Sequence, residues 1–185
     1  PWVQWAPNTN LSVGDLVYSY HTGYRVTASG VTGPNRPNSA AVGTVITNGT
    51  VTLSVVSTNV GEWGFGIYAN NSENITLHNI SIRDYWGDGI YIGDRHHESF
   101  MVKNVSISGM KSDNNRRQGL SVTAVDGLYI RDSEFSNTNG TLPEAGIDFE
   151  PNIDANRINN VYLENVRLLN NGNNSLIIDF RAITS

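Results

Sequence analysis

Cysteine is absent from the 185 residues. That excludes disulfides and thiolate metal ligation, and it leaves the redox compartment open. Charge is scarce: Asp, Glu, Lys and Arg make up 16% of the chain and sum to −5 at neutral pH. No basic field is available for a nucleic-acid backbone, so no nucleic-acid partner is expected. No apolar run is long enough to span a bilayer and the opening residues lack a signal-like pattern, so no membrane insertion is expected either. Apolar residues nowhere recur with the 3.6-residue period of a helix. What the chain has instead is 18 glycines, with Asn, Ser and Thr throughout, a composition suited to a β protein with many turns. The length fits one domain, or one domain with a small appendage. The abrupt start at Pro1, and the stop at Ser185 just after a strand-like run, read as a piece of a longer protein or fibre.

An internal repeat organises the second two-thirds. Four segments begin alike, GIYANN at 66, GIYIGD at 89, GLSVTA at 119 and GIDFEP at 146, and SLIIDF at 175 repeats the strand without its glycine. The spacings are 23, 30, 27 and 29 residues. A second signature follows in ITLHNISI, FMVKNVSI, LYIRDSEF and VYLENVRL, centred on Asn79, Asn104, Asp132 and Asn165 with apolar residues at period two on each side. Two signatures in fixed order predict a solenoid whose coils stack like strands into parallel sheets; an antiparallel sandwich would explain the alternation but not the order. The Asn/Asp column marks a sharp bend, where these residues tolerate a left-handed backbone and stacked amides can bond from coil to coil. GDRHHE, NTNGTLPEA and NIDANRINN absorb the variation in coil length and are expected as outer loops.

Residues 60 to 185, and most clearly the string NNRRQGLSV…GLYIRDSEFSNTNGTLPEAGIDFEPN, resemble the right-handed parallel β-helix, pectate-lyase-like superfamily, similar to bacteriophage tailspikes and polysaccharide-degrading enzymes. The resemblance implies an all-β fold, a right-handed parallel β-helix of about four to five coils. It also implies a homotrimer acting outside the cell, in a virion tail, on bacterial capsule, exopolysaccharide or lipopolysaccharide. The signatures of pectate lyases and polygalacturonases are not clearly present, so no catalytic residue is carried over.

The first part, assigned to 1–58 with the solenoid at 59–185, has another texture. WAPNTNLSVGDLVYSYHTGYRVTASGVTG reads as two short strands and a turn within a small antiparallel β module. Its W…VGD-x-V…YR pattern resembles small modules of phage tail proteins that are similar to chitin-binding-type modules. Trp2, Trp5, Tyr18 and Tyr24 are read as a miniature core rather than as sugar-stacking rings, because so short a module has little else to bury.

Strand alternation predicts which side chains leave the solenoid along the glycine-led sheet: Tyr68 and Asn70, Tyr91 and Gly93, Ser121 and Thr123, Asp148 and Glu150, Ile177 and Asp179. Beside them lie Trp86, Asp88, Arg116, Arg117, Gln118 and Glu144, then Asp94, Arg95, His96 and His97. Rings stack on sugar faces, carboxylates and amides bind hydroxyls, and arginines hold acidic sugars, so this edge reads as a carbohydrate trough. Asp148 and Glu150, two positions apart, fit the carboxylate pair of a glycoside hydrolase, with Glu144 and Asp88 as further candidate acids. The bland alternative is that they pair with Arg116 or Arg117 for structure. Where one acid is held ionised by Arg117 and the other is crowded by a like charge, base and acid roles separate. Tyr68, Tyr91, Trp86, His97, Arg116, Arg117 and Ser121 are the candidate sugar contacts.

The expected function is binding and hydrolysis of a bacterial surface polysaccharide. Its alternatives are a lyase acting on a uronate polymer, a binding-only adhesin and a structural fibre segment. No cofactor is expected: no acid cluster calls for Ca²⁺, and adjacent histidines in an extended loop point apart, which makes a poor zinc pair.

Overall fold

The structure, a computed structural model, describes residues 2–19, 22–58, 64–95 and 98–184. His96 and His97 lie outside them. The chain divides into two compact units, Pro1–Trp63 and Gly64–Ser185. Among the described residues there is no helix.

The first unit contains β1 (Trp2–Gln4), β2 (Asn10–Leu11), β3 (Leu16–Ser19), β4 (Thr22–Ala28), β5 (Gly30–Val31), β6 (Val45–Asn48) and β7 (Val51–Ser57). Five of them form a sheet in the order β1-β3-β4-β7-β6, antiparallel except for the parallel pair β1 and β3, and β2 pairs with β5. The sheet is richer than the two strands and a turn expected from the sequence. Trp5, Tyr18 and Tyr24 are buried, and Trp5 and Tyr24 pack with Leu11, Val17, Val26, Val51, Leu53 and Val55. The polar tips of the two rings are satisfied: Trp5 Nε1 donates to Asn48 Oδ1 at 3.1 Å and Tyr24 Oη to the Asn38 carbonyl at 3.2 Å. These rings serve the core, as an aromatic with a bonded tip does. Trp2 is only half-buried.

The second unit is a parallel β-helix. Its strands are β8 (Ile67–Ala69), β9 (Glu73–His78), β10 (Ser81–Arg83), β11 (Ile90–Ile92), β12 (Val102–Ser108), β13 (Lys111–Asp113), β14 (Leu120–Val122), β15 (Val125–Ser136), β16 (Ile147–Phe149), β17 (Ile158–Leu169) and β18 (Leu176–Ile178). Every pairing among them is parallel. The short strands stack in the order β18-β16-β14-β11-β8, and the others form a second, bent sheet in which β15 covers the length that β12 and β13 share in the coil before and β17 pairs along β15. The interior holds Ile90, Ile92, Leu120, Val122, Ile147 and Phe149 from one side and Val105, Ile107, Leu128, Ile130 and Phe135 from the other. This is the inward half of the predicted alternation. At the last coil the same positions open to solvent: Leu176 and Ile178 of β18 are exposed.

The glycine heading each repeat has a steric cause. A Cβ on Gly66, Gly89 or Gly119 would stand 2.6, 2.8 or 2.5 Å from the carbonyl oxygen of the matching glycine in the next coil, and a Cβ on Gly146 would stand 2.7 Å from that of Ser175. Stacked backbones at that separation leave no room for a side chain. Ser175 occupies the glycine position of the last described rung.

The bends correct one expectation. Left-handed residues form three columns, not one: Asn74, Asn104, Gly127 and Asn160; Asn79, Gly109, Asp132 and Asn165; Asp84, Asn114, Asn137 and Asn170. Asn104 therefore stacks on Asn74, whose Oδ1 accepts from its Nδ2 at 3.2 Å, and Gly109 takes the rung assigned to it beside Asn79 and Asp132. Each coil turns at three such positions five residues apart, and Asn occurs at all three, so the repeated motif was matched to the wrong one. Side-chain amides bridge coils in the other columns too, from Asn165 to Asp132 at 2.7 Å and from Asn114 to Asp84 at 2.6 Å. Of the predicted outer loops, the last is shorter than expected, since β17 already begins at Ile158.

Candidate active site

The column of outward positions exists. Tyr68 pairs in register with Tyr91, Tyr91 with Ser121, Ser121 with Asp148 and Asp148 with Ile177, so residues up to 109 positions apart share one face of one sheet. That face is not an open trough. Tyr68 is 41% exposed, but Tyr91, Ser121 and Asp148 are 4%, 5% and 1% exposed. The Phe65 ring lies over the tyrosines, with centroids 5.5 Å from Tyr68 and 4.8 Å from Tyr91. The Tyr91 hydroxyl bonds Thr123 Oγ1 at 3.1 Å and accepts from Asn152 Nδ2 at 3.2 Å. Tyr91 and Ser121 are thus structural members of a roofed layer, and Tyr68 is the ring of that pair that a ligand could reach.

The roof is clasped by an acid. Asp94 is fully buried, and its carboxylate accepts from the Glu98 and Ser99 amides at 3.0 and 2.7 Å and from Asn156 Nδ2 at 3.1 Å. It joins the loop after β11 to the loop after β16. Donors of this kind offset the cost of burying a polar group.

Below the roof, three of the predicted residues meet. Arg117 Nη1 stands 3.2 Å from each oxygen of the fully buried Asp88. The same nitrogen donates to Gln118 Oε1 at 2.8 Å, and Gln118 Nε2 donates to Asp148 Oδ2. Guanidinium can only donate, so Gln118 must turn its oxygen to Arg117 and its NH₂ to Asp148. Asp148 Oδ1 is buried with no partner among the described residues. Burial first, then the nearby charge of Glu150, pushes the Asp148 carboxyl up to about 6, while Arg117 and the Gln118 hydrogen bond pull it down. Glu150, one position past β16, is half-buried. Asp179 stands beside it in the next coil and is held below the usual carboxylate range by its bonds to Arg181.

The other predicted residues serve elsewhere. Glu144 Oε1 accepts from the Gly140 amide at 2.8 Å and its backbone carbonyl from Thr138 Oγ1, so it braces its own loop at a left-handed position. Arg116 lies 4.5 Å from the Trp86 ring and donates to the Gly140 carbonyl at 2.9 Å, tying the same loop to the coil below. His97 falls outside the described residues. Gln118 was named only as a neighbour in the sequence, and the roof residues Phe65, Asn152 and Asn156 were not named at all; each acts across coils, and local spacing carries no mark of it. Among the described residues no group of three or more His, Asp or Glu is gathered to hold a metal ion.

A family model described as a right-handed beta helix region matches residues 16–148. The chain belongs to the right-handed beta helix family. The match starts within β3 of the antiparallel unit and stops in β16, so the parallel coils continue past its end. This β-helix is 32% identical over 97 residues to the SPbeta prophage-derived uncharacterized protein YorA of Bacillus subtilis (strain 168), an alignment that covers 48% of this chain and 17% of that protein. It is 29% identical over 96 residues to the uncharacterized protein YclG of the same organism, covering 48% and 16%. The chain therefore spans about a sixth of the length of these relatives. No solved structure matches. Among the described residues no helix of the β-helix protein is long and apolar enough to cross a membrane.

Chemically, the site offers one carboxyl that protonates near pH 6 through a single free oxygen, and a second carboxylate two positions on. With the Gln118 amide on Oδ2, the proton of neutral Asp148 belongs on Oδ1. A buried carboxyl whose proton affinity is raised by its surroundings, next to a second acid, is a setting that general acid–base chemistry uses.

Proposed function

We propose that this chain is the saccharide-processing β-helix of a phage-related protein that binds a bacterial surface polysaccharide and hydrolyses its glycosidic bonds. Asp148 is the general acid, donating from Oδ1 to the leaving oxygen, and Glu150 is the carboxylate that activates water or attacks the sugar. Gln118 and Arg117 are positioning residues that fix which Asp148 oxygen carries the proton. Asp88 holds Arg117 in place. Glu150 and Asp179 are the partly open members, so the sugar approaches from their side. The carrying observation is the raised Asp148 carboxyl with its unpartnered Oδ1 next to a second acid, an arrangement that a purely structural carboxylate has no reason to keep. The prophage origin stated for one relative supports the setting, and the family resemblance supports a trimeric tailspike-like parent.

A binding-only adhesin is the second reading, favoured by the near-complete enclosure of Asp148. One experiment separates the two. Purified protein is incubated with a panel of bacterial capsular, extracellular and lipopolysaccharide preparations, and product size is followed by size-exclusion chromatography with absorbance at 235 nm. Hydrolysis gives shortened chains without new absorbance, and Asp148→Asn with Glu150→Gln stops it. Binding with unchanged chain length across the panel establishes the adhesin, and new absorbance establishes a lyase.

A further inference from the structure

The face of the β-helix on the bent sheet carries a second feature. Thr76, Ser106, Tyr129 and Tyr162 form a register column there, two small side chains followed by two large ones. Next to it runs the bend column of Asn74, Asn104, Gly127 and Asn160, in which Gly127 supplies no side chain. Small residues below the tyrosines and the missing side chain at Gly127 leave an open trough of about 520 Å³.

Three properties of the trough bear on its occupant. Its rings are exposed, Tyr129 by 37% and Tyr162 by 61%, unlike the enclosed Tyr91. They stand one coil apart, with centroids separated by 6.3 Å and planes tilted by 51°, so each presents a face. The Tyr129 hydroxyl donates to Glu164, which holds that ring at its outer edge. Finally, the residues lining the trough carry no formal charge, only Asn, Thr, Ser and Tyr among apolar neighbours. An anionic or cationic ligand finds no counter-charge on these walls. A ligand with apolar ring faces and many hydroxyls finds rings to stack on and amides and hydroxyls to bond.

We infer that the Tyr129–Tyr162 trough is a binding subsite for an uncharged stretch of glycan, distinct from the Asp148 site and on the other sheet. The inference rests on the saccharide-binding reading above and names the chemistry of the sugar as neutral. The trough grips the polymer and leaves bond cleavage to the acids. No function follows from Tyr129 or Tyr162 as packing, since both rings are largely outside the core.

The test uses the full chain on an array of neutral and acidic bacterial glycans, with maltohexaose and the hexamer of N-acetylglucosamine as soluble neutral probes in titration calorimetry. Wild-type and Asp148→Asn proteins are expected to retain the same neutral glycans. Tyr162→Ala should weaken that binding by about tenfold and Tyr129→Ala with Tyr162→Ala by more, the loss of one and two stacking contacts. Tyr162→Phe keeps the ring and should stay within about threefold of wild type. Circular dichroism and melting curves unchanged in the alanine variants keep the loss local. Equal binding by the double alanine variant overturns the trough but leaves glycan binding elsewhere intact. Retention of acidic glycans alone overturns the neutral assignment. Loss of self-association in Tyr162→Ala by sedimentation, with glycan binding unaffected, makes the face a contact between copies and overturns the inference. Binding to no glycan by any variant removes both this inference and the reading on which it rests.

Discussion

The two outward faces of the β-helix share a backbone pattern and end in opposite conditions. On the sheet of short strands, outward Tyr91, Ser121 and Asp148 are buried, Tyr91 bonded by Asn152 from the loop that Asn156 ties to Asp94 and Asp148 by Gln118. On the bent sheet, outward Tyr129 and Tyr162 stay open. Chemistry follows from the difference. Enclosure removes water from a carboxylate and raises its proton affinity, which favours an acid; exposure leaves a ring face free, which favours recognition. On the proposed reading, a single solenoid would separate gripping from cleaving without a second domain.

The sharpest way to break this division is to remove the enclosed pair. Asp148→Asn with Glu150→Gln should lower depolymerisation by at least about a thousandfold, the scale of losing acid and base together, while glycan retention persists; chain length by size exclusion measures the first and array binding the second. Turnover by wild type should fall as pH rises through about 6, because Asp148 then loses the proton it donates.

The same residue gives a stability prediction of the next size. The folded-state value of about 6 lies above the ordinary 3.8, so the native state binds the proton more tightly than the unfolded chain. Stability then declines as pH rises from about 4 to 6 and stays reduced above that range. Asp148→Asn escapes this cost and should be more stable than wild type at pH 7, by on the order of 2–3 kcal/mol, with no gain at pH 4 or below; urea denaturation at both pH values measures it. A variant less stable than wild type at pH 7 would mark Asp148 as a structural anchor.

A smaller effect tests the roof. Asn156→Ala removes one donor from the fully buried Asp94 and should cost about 1–3 kcal/mol, read as a lower melting temperature. The smallest tests the open face. Tyr162→Ala should change stability by less than about 0.5 kcal/mol, whereas a larger loss would mean that its ring is packed.

Much of the architecture was readable in the chain. The glycine-headed strands stack as spaced, because the steric demand that selects glycine and the alternation that buries Ile147 and Phe149 are both local rules repeated at each coil. The bends were readable in principle, since left-handed residues recur every five positions within a coil, yet Asn104 was set on the wrong bend because all three bends accept Asn. The acids were partly legible: the pairing of Asp148 with Ser121 follows from register, and Arg117 was expected to divide the carboxylates. Instead Arg117 pairs with Asp88 and bonds Gln118, whose amide reaches Asp148, an arrangement that two residues adjacent in sequence do not announce.

By itself the sequence determined which residues leave the solenoid and which stack in line, because a period of two and a fixed coil repeat decide both. Only the tertiary structure decided which of those outward residues meet solvent. Tyr91 is enclosed by Asn152, 61 residues away, and Asp94 by Asn156, 62 residues away. In both cases the partner arrives from another coil, and alternation along a strand contains no information about what will lie on top of it.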